Sequence, residues 1–218
     1  METSTRDIAG LECNTIAFQQ RAGAYWRPAD GSPVRTALTF AENMKSDNFI
    51  VTMQRRTGVT AVGPSALRGQ GAGVLKATQN YLGSIELINI PATNQEEYNK
   101  WLDAHTETIL SILPIRNKPW GAARKALNLF MRDVLYNRYL CDHFGIRKFE
   151  KWMELPLDSA VAKGLKKLAG RGRLPPWPGL KRLKEDTSQI YQSFATECSR
   201  TRGISRVHLD IYLWTENR

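Results

Sequence analysis

The sequence predicts an all-α protein, and three features carry that reading. From Pro64 onward apolar residues recur at helical spacing, strand-like alternation is nearly absent, and capping or breaking residues divide the chain into helix-length segments. The chain has 218 residues, 42% of them hydrophobic. That suffices for one core, so a single two-lobed domain is expected over 1–218. One lobe would lie at about 60–155 and the other would come from the termini.

Residues 5–22 and 36–47 each read as a helix, separated by a turn at 28–33. Residues 48–62 contain Phe49-Ile50-Val51 and Thr57-Gly58, and read as either a short β-hairpin or an irregular loop. Pro64 starts a helix expected to reach Gly83, with Leu67, Val74, Leu75 and Leu82 on one side. Gly69, Gly71 and Gly73 are unusual inside a helix and fit close approach of the backbone to a helix or a ligand.

Thr93 or Asn94 caps the next helix, with Glu96 and Glu97 in its first turn. Pro114 closes that helix, and a basic connector runs from Ile115 to Gly121. Ala122 to about Cys141 forms the strongest helix, carrying Leu127, Phe130, Met131, Val134 and Leu135 at helical spacing. Residues 94–141 thus make a helix–hairpin–helix unit. Beyond Gly145, Asp158 to Leu168 is a short helix and Arg171 to Lys184 a basic, Pro-rich loop. Two helices, at about 185–202 and 205–216, end the chain.

Between Arg116 and Arg206 lie 20 of the 31 Lys and Arg residues but only 8 of the 21 Asp and Glu. The whole positive excess is therefore confined to one stretch. Localised positive charge fits a face for a polyanion better than a general solubility feature. Arg116, Lys118, Gly121 and Arg124 surround a helix N-terminus, where free N–H groups and positive potential favour phosphate. Arg171, Arg173, Lys181 and Arg182 are further phosphate candidates on the loop. Cys13, Cys141 and Cys198 are odd in number and scattered, as expected of reduced thiols in a cytoplasmic protein. No apolar run is long enough for a membrane span, and no secretion signal is visible. The histidines show no metal-ligand spacing, so neither metal nor cofactor is expected.

Gly121-Ala122-Ala123-Arg124-Lys125 followed by an apolar helix resembles the Gly-x-Gly-x-Lys hairpin of the endonuclease III and 8-oxoguanine DNA glycosylase superfamily. Leu155-Pro156-Leu157-Asp158-Ser159-Ala160-Val161 resembles that superfamily's apolar-Asp-x-x-Val motif. The two residues are 33 positions apart, nearest the archaeal 8-oxoguanine glycosylase branch. Ala123 departs from the pattern, and the clustered cysteines of an iron–sulfur centre are absent. The resemblance spans about residues 94–170.

It implies a two-lobed helix–hairpin–helix glycosylase fold, acting as a monomer on double-stranded DNA with one base everted. Lys125 takes the nucleophile position and Asp158 that of the aspartate. A neutral Lys125 amine would attack the sugar C1′, displace the base and leave a Schiff base open to strand cleavage. The helix dipole and the adjoining Arg124 both disfavour the ammonium form. Asp158, at a helix mouth, would stabilise an oxocarbenium-like sugar.

Gln70 and Trp120 are the base-pocket candidates, Trp120 by stacking on an everted base. Oxidised guanine is the favoured substrate. The small residues Gly69 to Gly73, Ala122 and Ala123 would also leave room for a bulkier base, such as a decorated phage cytosine, and hence for a defence role. Two readings stand beside a bifunctional glycosylase. One is a monofunctional glycosylase in which Asp158 activates water, and the other is a non-catalytic helix–hairpin–helix DNA-binding protein.

Overall fold

The computed structural model describes residues 46–215 apart from Ser65 and Arg68. The readings made for 5–22, for 28–33, for 36–45 and for Cys13 lie outside these residues. Among the described residues there is no strand, and every regular element is helical.

Residues 48–61 form neither hairpin nor loop but belong to helix α1, Ser46–Ala61. Packing has overridden the local signal here. A Cβ on Gly58 would stand 3.0 Å from the Gly83 nitrogen and 3.1 Å from the Gln79 carbonyl. The Thr57-Gly58 pair is thus a helix crossing and not a turn. Side-chain amides pin the crossing, with Gln54 donating to the Ile85 carbonyl at 2.7 Å and Gln79 to that of Val62 at 2.8 Å.

The helix expected over 64–83 is shortened to α2, Val74–Leu82. Gly69, Gly71 and Gly73 have φ of 72°, 125° and 76°, so they form a turning segment ahead of the helix. The close approach expected of them is to protein. A Cβ on Gly71 would meet Ile115 Cγ2 at 2.8 Å, and one on Gly73 would meet Pro114 Cγ at 3.0 Å. Gly71 and Gly73 are therefore packed against the 113–119 connector.

Helix α3, Gln95–Ile112, begins at Asn94, whose side chain accepts from the Glu97 N–H at 3.0 Å. The Glu97 carboxylate accepts in return from the Thr93 N–H at 2.6 Å, a reciprocal cap. Helix α4 runs Trp120–Tyr136, two residues earlier than expected and ending five short of Cys141. It stops because Asn137 leaves the helical conformation and accepts from the N–H groups of Tyr139 and Leu140, starting α5, Arg138–Phe144. Gly121 to Asn128 are all buried. A helix covered all round is the central strut of its fold, and α4 carries the residues on which the chemistry rests.

After a 3₁₀ segment, Ile146–Trp152, come α6, Ser159–Ala169, and α7, Glu185–Thr201. A second 3₁₀ turn, Arg206–His208, leads into α8, Leu209–Thr215. Leu155, Val161, Leu165, Tyr191, Leu209 and Leu213 share one buried cluster. The C-terminal third therefore has its own core, beginning where the 60–155 lobe was expected to end. No helix of the described residues is long and apolar enough to cross a membrane.

Candidate active site

The two motifs 33 residues apart in sequence meet in space. Lys125 Nζ lies 3.3 Å from Asp158 Oδ2, and Lys125 is only 8% exposed. Lys125 sits in the second turn of α4, so burial of that helix carries an amine into the interior. Asp158 is the N-cap of α6, where its side chain accepts from the N–H groups of Ala160 and Val161, each at 2.9 Å. Both cap bonds end on Oδ1. One carboxylate oxygen holds the helix, and the other is turned to the lysine. The helix cap and the contact to Lys125 are made by different atoms of one side chain.

Arg124, expected to contact phosphate, is turned into the protein. It is 5% exposed, and its guanidinium binds Glu154 at 2.8 and 2.9 Å and Asp103 at 2.7 Å. Asn128 donates to the same Glu154 at 2.8 Å. Consecutive residues on a helix point about 100° apart, so Arg124 faces this buried network while Lys125 faces Asp158. Burial works to raise the Glu154 carboxyl, but Arg124, Arg206 and Asn128 outweigh it and hold the group below the usual glutamate range.

A carboxyl depressed by folding contributes stability that is present above its unfolded pKa and is lost as pH falls through the folded one. Glu154→Gln is accordingly expected to destabilise the protein by about 3 kcal/mol, since Arg124 stays buried with one partner fewer. It should also flatten the acid side of the stability curve in urea melts taken from neutral to acidic pH. An unchanged acid limb would show that the pair does not titrate with unfolding.

Two of the expected site residues are placed differently. Gly121 is not the exposed helix terminus but a first-turn residue, where a Cβ would stand 2.6 Å from Leu183 Cβ and 2.7 Å from the Leu180 carbonyl. Only glycine fits, and what it admits is the basic loop, not a phosphate. Trp120 has the Arg124 guanidinium over its ring at 5.4 Å and lines a polar recess with Asp103, Glu154 and Gln192. One face of the Trp120 ring is thus covered by Arg124.

Gln70, Arg116, Lys118 and Lys181 come together, with Asn117 and Pro119, around a cleft of about 680 Å³. Lys118 also donates to the Leu113 carbonyl at 2.7 Å, closing the end of α3. Arg171 and Arg182 are exposed on the loop. Arg173 is paired with Glu197 and lies over Phe194. From Ser159 to Lys184 the chain has eight Lys and Arg and no Asp or Glu, so no acid in this stretch neutralises the surface beside the cleft.

Sequence reasoning passed over Glu154 and Asp210. Asp210 begins α8, is 8% exposed and pairs with Arg132, which also binds Asp133 at 2.7 Å. Arg132 is two turns beyond Lys125 on α4, on nearly the same face. Burial pushes the Asp210 carboxyl up, Arg132 opposes this, and the charge of Asp158 adds to the rise. The site thus holds a second carboxylate that acts electrostatically on the first. Each of these acids stands alone in an apolar run, Trp152-Met153-Glu154-Leu155 and Val207-His208-Leu209-Asp210-Ile211, and that was the readable sign of a buried charge. Comparison with protein-family models, with characterised proteins and with solved structures returns no match.

Proposed function

We propose that the chain is a DNA glycosylase of the helix–hairpin–helix type, releasing a damaged base and then opening the strand through a Lys125 Schiff base. The observation that carries the reading is the buried Lys125–Asp158 pair, 3.3 Å apart. A lysine with one partner, a carboxylate fixed by a helix cap and a nearby cationic cleft match what amine attack on a nucleoside in DNA requires.

In this reading the Asp158 Oδ2 atom takes a proton from Lys125. The freed Nζ lone pair forms a bond to C1′ as the C1′–N bond breaks and its electron pair leaves with the base. The departing base accepts the second amine proton. Opening of the sugar ring then gives the iminium carbon, while O4′ receives the proton held by Asp158. Through the attack the Asp158–Asp210 carboxylates supply negative potential where positive charge develops on the sugar.

Gly71 and Gly73 face Ile115 and Pro114, and Ala122 and Ala123 are buried, which favours an oxidised guanine over a bulkier base. An oxidised guanine is the substrate proposed. Incubation with abasic-site duplex and borohydride tests the enzyme reading, and release of 8-oxoguanine tests the substrate. Base release without trapping would give the monofunctional mechanism. Binding with neither would leave a DNA-binding protein.

The cleft around Arg116 and Lys181 is proposed to hold the DNA backbone. Arg116→Glu and Lys181→Glu should each weaken binding to every duplex alike and lower the salt slope by about 1. A loss confined to one DNA sequence would mean that these side chains read bases.

A further inference from the structure

The aromatic residue next to the Lys125–Asp158 pair is Trp177, which sits in the run Leu174-Pro175-Pro176-Trp177-Pro178-Gly179. Its indole N–H donates to Ser159 Oγ at 3.2 Å, and Ser159 directly follows Asp158. Its ring meets Tyr191 edge-on, with centroids 5.5 Å apart, and the Tyr191 hydroxyl donates to the Pro175 carbonyl at 2.8 Å. Three prolines restrict φ on both sides of it. The indole is therefore fixed by its N–H, by Tyr191 and by its backbone, yet it stays half-buried.

Packing at the rim of the C-terminal core explains the edge against Tyr191. It does not explain why the single polar atom of the ring is spent on the residue after Asp158. The chain around it is also distinctive, with Arg171 before this run, Lys181 and Arg182 after it, and no acid between. Cations that track a phosphate backbone, interleaved with a rigid aromatic that offers a face, form the pattern by which proteins hold unpaired bases.

We propose that Trp177 is the stacking platform for a nucleobase at the mouth of this site, the role the sequence suggested for Trp120. The assignment rests on the glycosylase reading for its location but not for its test. The probes are two duplexes of one sequence. One carries 2-aminopurine opposite cytosine, and the other carries a tetrahydrofuran abasic analogue at the same position.

Wild type should bind the 2-aminopurine duplex more tightly and quench its fluorescence. Trp177→Leu keeps apolar bulk on the loop but removes the aromatic face, and should weaken that duplex about tenfold while leaving the abasic analogue unchanged. Trp177→Phe should restore most of the preference, because the face returns without the N–H. Equal losses on both duplexes, no loss on either, or a wild type that binds both alike would overturn the assignment. Borohydride trapping of wild type on a true abasic site is scored separately. Its absence alongside a Trp177-dependent base preference would sink the enzyme and spare the platform.

Discussion

Lys125→Ala is expected to abolish covalent capture of abasic-site DNA under borohydride while leaving duplex affinity within about twofold of wild type. The trapped species is a reduced imine, so it requires a primary amine that reaches C1′. Lys125 is the amine placed against a capped carboxylate. Arg116, Lys118 and Lys181 supply the electrostatic attraction from a cleft that Lys125 does not line, which is why binding should survive.

The variant should also fold. Asp158 keeps both cap bonds from Ala160 and Val161 and its side chain is 24% exposed, so losing its partner leaves it neither dry nor unsatisfied. A cost of about 1 kcal/mol, or ~2–4 °C in Tm, is expected. Lys125→Met separates chemistry from volume, since it fills the same space without an amine. Capture that persists in either variant would remove Lys125 as the nucleophile. Loss of binding in parallel would make it a structural residue.

What the sequence disclosed and what it hid divide along one physical line. The places of Lys125 and Asp158 were legible because each follows from local order, one early in a strongly periodic helix and the other at a helix mouth after Pro156. The break at Asn137 was equally local, yet it was masked by apolar spacing that continues through Leu140 and Cys141. Gly58, Gly71, Gly73 and Gly121 could not be placed, because what each one crowds lies 21 residues or more away in the chain. A glycine that admits another helix, a connector or a loop looks the same in sequence as one that admits a ligand.

Arg124 shows the limit most clearly. Beside Lys125 it reads as one more cation for DNA, and only its partners Glu154 and Asp103, 30 and 21 residues away, reveal a charge already spent. The count of positive residues in the second half of the chain therefore overstates the interface. The part that faces solvent is the cleft and the acid-free stretch that follows Asp158.

Asp158→Asn should leave the fold and DNA affinity intact and reduce base release by about 10²–10³-fold. The division of labour between its two oxygens makes this substitution unusually clean. Both cap hydrogen bonds end on Oδ1, and an asparagine carbonyl in that position accepts them equally well. The amide NH2 then takes the place of Oδ2, the atom 3.3 Å from Lys125 Nζ. A donor replaces an acceptor there, so in the proposed mechanism the lysine loses the group that takes its proton, and the sugar cation loses a full negative charge. Asp210 remains, but it is committed to Arg132 and cannot replace Oδ2.

Capture of a preformed abasic site should suffer less than base release, because no C1′–N bond has to break. The ratio of the two rates therefore reports which step Asp158 serves. Thermal stability of the variant should match wild type within about 1 kcal/mol. If base release proceeds at the wild-type rate, Asp158 is a helix cap alone. If stability collapses, Oδ2 holds the structure through Lys125 and its chemical role has to be assigned elsewhere.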